Sequence, residues 1–141
     1  MTHASSKTII HAPADAIWQV ISDFGAAGDY LAGVVGCAVE GEGVGARRTL
    51  TSADGSTIVE RLETLDAAAQ RLSYSLLTET PFADCLTNMA LRDLGPHQAE
   101  LSWSATFAAD GLPESEAEAL LEGALAANCL ALKQFMEAGR R

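Results

Sequence analysis

PESEAEALLEGALAANCLALKQFMEA, residues 113–138, is the stretch on which the fold turns. At about 100° per residue, Ala117, Leu120, Leu121, Ala124, Ala131, Leu132 and Phe135 fall within roughly 60° of one direction, while Glu116, Glu122, Lys133 and Glu137 point away. The segment from Pro113 to Ala138 therefore reads as one long amphipathic helix with a face turned to a core. Asn128 stands in the middle of that face. A buried amide needs hydrogen-bond partners, and the small Ala117, Ala124 and Ala131 beside it leave room. Either another element packs closely there or the room is a cavity.

The chain ahead of the helix supplies a surface for it. Val34 to Glu42, Ala46 to Ser52, Ser56 to Leu65, Arg71 to Thr78, Asp84 to Asp93 and Gln98 to Ala108 alternate apolar and polar residues with the period of strands, and turn residues separate them at hairpin spacing. Lys7 to His11 adds a strand at the start, ended by Ala12-Pro13. Proline at a first helical position and Asp15 in the first turn favour a helix there, with Ile17, Val20, Ile21 and Phe24 on its inner face and Gly25 as its stop. Ala26 to Ala32 is read as a second short helix ended by Gly33. A large antiparallel sheet must cover one face, and only the last helix is long enough to do so. The expected class is α+β: a seven-stranded curved antiparallel sheet wrapped around a long C-terminal helix, with two short helices after the first strand.

Register places the candidate chemistry. A two-residue Asp54-Gly55 turn would set Arg48 against Arg61, a like-charge pair that costs stability. A three-residue Ala53-Asp54-Gly55 loop with a left-handed Gly55 instead pairs Leu50 with Ile58 and Arg48 with Glu60, and this is the expected register. The same alternation turns Arg48, Leu50, Ile58, Glu60 and Leu62 toward the helix, together with Tyr74 and Leu76, Cys85, Thr87 and Met89, and Trp103, Ala105 and Phe107. With Leu120, Leu121, Ala124 and Asn128 of the helix, these are the candidate ligand-binding residues.

The 141 residues, 48% hydrophobic and without repeats or low-complexity tracts, are expected to form one domain over 1–141. A net charge of −10 argues against nucleic acid, whose phosphates require clustered Lys and Arg, and against anionic membrane surfaces. No apolar run reaches the ~18 residues of a membrane span and the polar start lacks a signal-peptide core, so the expected location is cytoplasmic, without membrane insertion, as a monomer or homodimer. Cys37, Cys85 and Cys129 are too far apart for a C-x-x-C site and are read as reduced core thiols. His3, His11 and His97 share no metal-ligand spacing. No metal or cofactor is expected, and no Ser-His or Cys-His nucleophile.

Ile10-His11-Ala12-Pro13 followed by Val20-Ile21-Ser22-Asp23-Phe24, Glu40-Gly41-Glu42-Gly43-Val44-Gly45 with Arg48, and Val59-Glu60-Arg61-Leu62-Glu63 after Asp54-Gly55 resemble the polyketide cyclase/dehydratase branch of the START and Bet v 1-like superfamily. The resemblance runs over nearly the whole chain. It implies a helix-grip fold and a deep cavity between sheet and long helix, used for lipids, polyketides or other small apolar molecules. The middle of the chain also resembles the plant abscisic acid receptors, where the positions of Arg48, Ile58, Glu60, Thr87, Ala105, Phe107 and Asn128 lie in or beside the hormone pocket. Leu31 stands where those receptors carry their hormone-pairing lysine, Cys85 where they carry a pocket tyrosine, and the gate loop is shortened to 52–55, so an acidic hormone is not the expected ligand.

Two functions follow as expectations. One is binding of a small hydrophobic molecule in the cavity; the other is cyclase, aromatase or dehydratase chemistry in which Glu60, with Arg48 or Tyr74, moves protons. The Arg48 and Glu60 pair is alternatively a structural ion pair, Tyr74 and Asn128 alternatively satisfy each other, and Trp103 and Phe107 alternatively belong to the core. The cavity should lie between the helix stripe and Tyr74, Trp103 and Phe107, with its mouth among 26–33, 52–55 and 80–83.

Overall fold

The computed structural model describes residues 1–138; the last three positions of the expected 1–141 domain lie outside the described residues. Seven strands run in the order β1 (Thr2–Ile10), β2 (Val34–Glu40), β3 (Arg47–Ser52), β4 (Thr57–Asp66), β5 (Arg71–Leu76), β6 (Phe82–Asp93) and β7 (Ala99–Ala109). Helix α1 (Ala14–Ile21) and a 3-10 turn (Phe24–Asp29) separate the first two strands, and α2 (Glu114–Ala138) closes the chain. All pairings are antiparallel, in the spatial order β1-β7-β6-β5-β4-β3-β2. Consecutive hairpins thus build six of the strands, and β1 joins by pairing with the last of them. This is the helix-grip architecture expected.

The decisive hairpin has the three-residue loop. Arg48 lies opposite Glu60 and Leu50 opposite Ile58, with Gly55 at φ 89° donating its N–H to Ser52 O at 2.9 Å. A side chain at that φ would be strained, so the glycine is required by the turn. The segment expected as a helix over 26–32 instead starts at Phe24 and is a 3-10 turn, with Asp23 Oδ1 accepting from Gly25 N–H at 3.3 Å. The two glycines and two alanines of FGAAGD give too little apolar surface to hold a longer α-helix.

Two differences from the sequence reading are linked. β1 begins at Thr2, five residues before the expected start at Lys7, so that His3, outside the expected strand, pairs with Thr106 on the outer face of the sheet. The inner face of this longer β1 presents Thr2, Ala4 and Ile10, all buried. α2 lies along it and is tied there by polar contacts: Thr2 Oγ1 donates to Glu114 Oε1 at 2.6 Å, Lys133 Nζ to Ile9 O at 2.7 Å, and His11 N–H to Glu137 Oε2 at 3.0 Å. The side of α2 pressed inward therefore carries Ala117, Leu125, Cys129 and Leu132, all buried, with Leu121 and Met136 half-buried. It is turned by about 60° from the expected stripe. Leu120 is 53% exposed and Phe135 41% exposed.

Candidate functional site

The helix-facing side of β3, β4 and β5 brings a charged pair into the core. Arg48 Nε and Nη2 both donate to Glu60 Oε1, at 2.8 and 2.7 Å, with side-chain exposures of 2% for Arg48 and 10% for Glu60. Arg48 Nη1 donates to Phe24 O at 3.3 Å. The guanidinium carbon sits 4.0 Å from the Phe24 ring centroid and 4.7 Å from that of Tyr74, so two aromatic faces enclose the cation. Burial works against the Arg48 charge, but Glu60, with Tyr74 and Tyr30 behind it, outweighs burial and holds its pKa above the ordinary value. Burial pushes the Glu60 carboxyl above the usual carboxylate value, against the pull of Arg48. Burial likewise raises Tyr30 and Tyr74, so both phenols stay protonated.

Beside this pair lies a cavity of about 410 Å³, lined by Ile58, Glu60, Tyr74, Leu76, Thr80, Pro81, Phe82, Cys85, Thr87, Leu121, Ala124, Leu125 and Asn128. Its volume is within the range of small-molecule pockets. Pro81 and Ala124 are exposed, so the cavity reaches solvent between the β5–β6 connection and α2. Nine of the expected residues meet there: Ile58, Glu60, Tyr74, Leu76, Cys85, Thr87, Leu121, Ala124 and Asn128.

The others stand elsewhere. Arg48 and Leu50 are buried outside the lining, Arg48 because its guanidinium is spent on Glu60 and the two rings. Trp103, Ala105 and Phe107 are fully buried behind the lining. Trp103 Nε1 donates to Tyr74 Oη at 3.1 Å, and Phe107 meets Phe82 edge-on with centroids 5.3 Å apart. Leu62 and Met89 are buried and border other surface pockets. Leu120 faces away because α2 is rotated toward β1. The loop 52–55 and the segment 26–33 do not line the cavity, although Ala32 N–H donates to Asn128 Oδ1 at 3.0 Å and so ties that segment to α2.

Thr80, Pro81, Phe82 and Leu125 were not among the sequence candidates as lining residues. Leu125 follows Leu121 by one helical step of four and was detectable on that ground. The sequence reading puts Thr80 to Phe82 only at the rim; the aromatic Phe82 next to a proline is the signal for a lining role. Among the described residues no group of three His, Cys, Asp or Glu side chains is arranged to hold a metal ion, and no helix is long and apolar enough to cross a membrane.

Solved structures share this architecture. The protein XoxI from Bacillus cereus is similar with a TM-score of 0.89 and 25% identity, covering 97% of this chain and 96% of that one. The Zhui aromatase/cyclase from a Streptomyces species is similar with a TM-score of 0.82 and 20% identity, over 99% and 96% of the two chains. Norcoclaurine synthase from Thalictrum flavum, solved with dopamine and hydroxybenzaldehyde, has a TM-score of 0.78 and 18% identity, over 99% and 88%. No curated protein matches the chain. Residues 1–137 match the family model described as polyketide cyclase / dehydrase and lipid transport, and the chain belongs to that family.

Proposed function

We propose that this chain binds a small, mainly apolar molecule in the cavity between α2 and the sheet. The observation that carries the reading is the lining itself: Ile58, Leu76, Phe82, Leu121 and Leu125 wall a space of about 410 Å³ in which the one charged group is the Glu60 carboxylate. Apolar walls with a few converging polar groups are the usual composition of a ligand site, and the family's description, which includes lipid transport, supports it. The test is thermal melting with a panel of aromatic and aliphatic ligands. A ligand at 100 times its Kd stabilises the native state by about 2.7 kcal/mol. Ala124→Trp, at the exposed rim of the cavity, is expected to abolish that stabilisation while the unliganded protein still melts cooperatively. A panel in which nothing raises the melting temperature overturns the reading.

One observation favours a second reading. Glu60 presents one oxygen, Oε1, to Arg48, its Oε2 has no partner among the described residues, and burial raises its pKa above the ordinary carboxylate value. A carboxyl so placed can hold or release a proton at a ligand carbonyl, which is the requirement for cyclisation and dehydration of a ketone chain. On this reading Glu60→Gln lowers turnover of a poly-ketone by ~10²-fold or more with binding retained. Turnover at the parent rate excludes Glu60 as acid or base.

A further inference from the structure

Of the polar side chains that line the cavity, Glu60, Tyr74 and Asn128 each spend part of their hydrogen-bonding capacity on a neighbour outside it, while Thr80 Oγ1 accepts from Phe82 N–H at 3.1 Å and Thr87 Oγ1 lies 3.9 Å from Cys85 Sγ. What is left over is determined by what the neighbour can do. An indole N–H is a donor only, so the contact from Trp103 Nε1 at 3.1 Å makes Tyr74 Oη the acceptor. The phenol's own proton then has to be donated, and no described residue receives it. A backbone N–H is likewise a donor only. Ala32 N–H therefore requires the oxygen of Asn128, at 3.0 Å, and this turns the two amide hydrogens of Asn128 Nδ2 away from that loop. Glu60 Oε1 takes both Arg48 donors, leaving Oε2 as an acceptor.

Resting on the binding reading above, we propose that Trp103 and the Ala32 amide are positioning groups that fix Tyr74 and Asn128 as donors, so that the cavity selects apolar molecules bearing a carbonyl-type acceptor oxygen over hydrocarbons of the same shape. Trp103 does not touch the ligand. It acts through Tyr74 by occupying the lone pair with which the phenol would otherwise accept. Glu60 Oε2 adds one place for a hydroxyl or N–H of the ligand.

The experiment uses 2-acetylnaphthalene and 2-ethylnaphthalene, which differ chiefly in the carbonyl oxygen, and follows their dissociation constants by tryptophan fluorescence. The quantity read is the ratio of the two constants, in which differences in overall packing cancel. Tyr74→Phe should shift the ratio against the ketone by about tenfold, the scale of one hydrogen bond. Asn128→Asp keeps an oxygen for the Ala32 N–H and replaces the donor by an acceptor, so it should shift the ratio in the same direction by tenfold or more. Trp103→Phe, where it folds, frees the Tyr74 lone pair and should raise affinity for 2-naphthol relative to 2-methylnaphthalene, a change that loss of packing alone does not produce. Both probes binding with a ratio unmoved by Tyr74→Phe and Asn128→Asp overturns the donor assignment and leaves the binding reading standing. Neither probe binding the parent, with no other apolar molecule bound either, overturns both.

Discussion

The Arg48–Glu60 pair should break asymmetrically. Burial holds the Glu60 carboxyl above its ordinary value of 4.5 despite Arg48, so its ionised form is less favourable in the fold than in water. The linked contribution to stability is complete below about pH 4.5 and is lost as pH rises through the raised folded value. Glu60→Gln imitates the neutral carboxyl at every pH. Its amide oxygen can still accept from Arg48, and the guanidinium keeps Phe24 O at 3.3 Å and two ring faces at 4.0 and 4.7 Å. We therefore expect Glu60→Gln to lie within about 1 kcal/mol of the parent at pH 7, and to gain relative to it as pH rises through the raised folded value.

Arg48→Met removes the counter-charge, the bond to Phe24 O and both ring contacts, and leaves a carboxyl that must protonate to stay buried. Each pH unit between the ordinary carboxylate value and the new one adds about 1.4 kcal/mol. The expected loss is ~3–5 kcal/mol at pH 7, or a fall of roughly 10–20 °C in melting temperature, and clearly less at pH 5. Urea and thermal unfolding of parent and both variants at the two pH values, followed by circular dichroism, measures all of this. A Glu60→Gln protein destabilised by 3 kcal/mol or more, with Arg48→Met the milder change, would show that Arg48 outweighs burial and would refute the reasoning (magnitudes about those of a broken buried pair).

Three further outcomes are expected. Burial pushes the Cys85 and Cys129 thiols up, so both should alkylate slowly at neutral pH, after the half-buried Cys37; a bound cavity probe should protect Cys85, which lines the cavity, and not Cys129, and equal protection would contradict that placement. Asn128→Ala removes the acceptor of the Ala32 amide, so hydrogen exchange there should rise by about tenfold or more with β7 unchanged; an unchanged rate at Ala32 would show that the contact does not hold the segment. Ala4→Asp places a carboxylate at a site 1% exposed on β1 and should cost several kcal/mol, at least ~3, by denaturant unfolding; a cost under ~1 kcal/mol would mean that residues 2–6 are not part of the core sheet.

Alternation made the sheet legible from β2 to β7 because each strand is bounded by turn residues and its two faces differ in polarity. The Arg48–Glu60 register was legible because it joins opposite charges on the inward face; the same register sets Arg47 opposite Arg61 on the outer face, where Glu63 accepts from Arg61 at 2.8 Å. Nine lining residues followed from face alone. Face, however, does not measure depth. Trp103, Ala105 and Phe107 share the inward face but lie on β7, beside β1 and under α2, so they became core while Thr87 on β6 and Tyr74 on β5, one and two strands nearer the open side, reach the cavity.

What was illegible traces to one segment. THASS, residues 2–6, is small and polar, with Thr2 its single β-branched residue and no Val, Ile, Phe, Tyr or Trp to announce a strand, and its pairing with β7 is a contact between segments about 100 residues apart. Once it pairs, its inward row of Thr2, Ala4 and Ser6 is flat enough for α2 to approach closely, and the buried Cys129 faces Ser6 across the gap. The bulkier Leu125 and Leu132 then take the buried positions, and the alanines Ala124 and Ala131 move toward the rim. The small residues that suggested a cavity in the middle of the helix stripe are thus what opens its side: Ala124 borders the mouth opposite Pro81, and Asn128, one helical turn on, lies between the cavity and the Ala32 amide. The position of the mouth follows from the strand at the far edge of the sheet, because that strand sets the rotation of the helix that borders it.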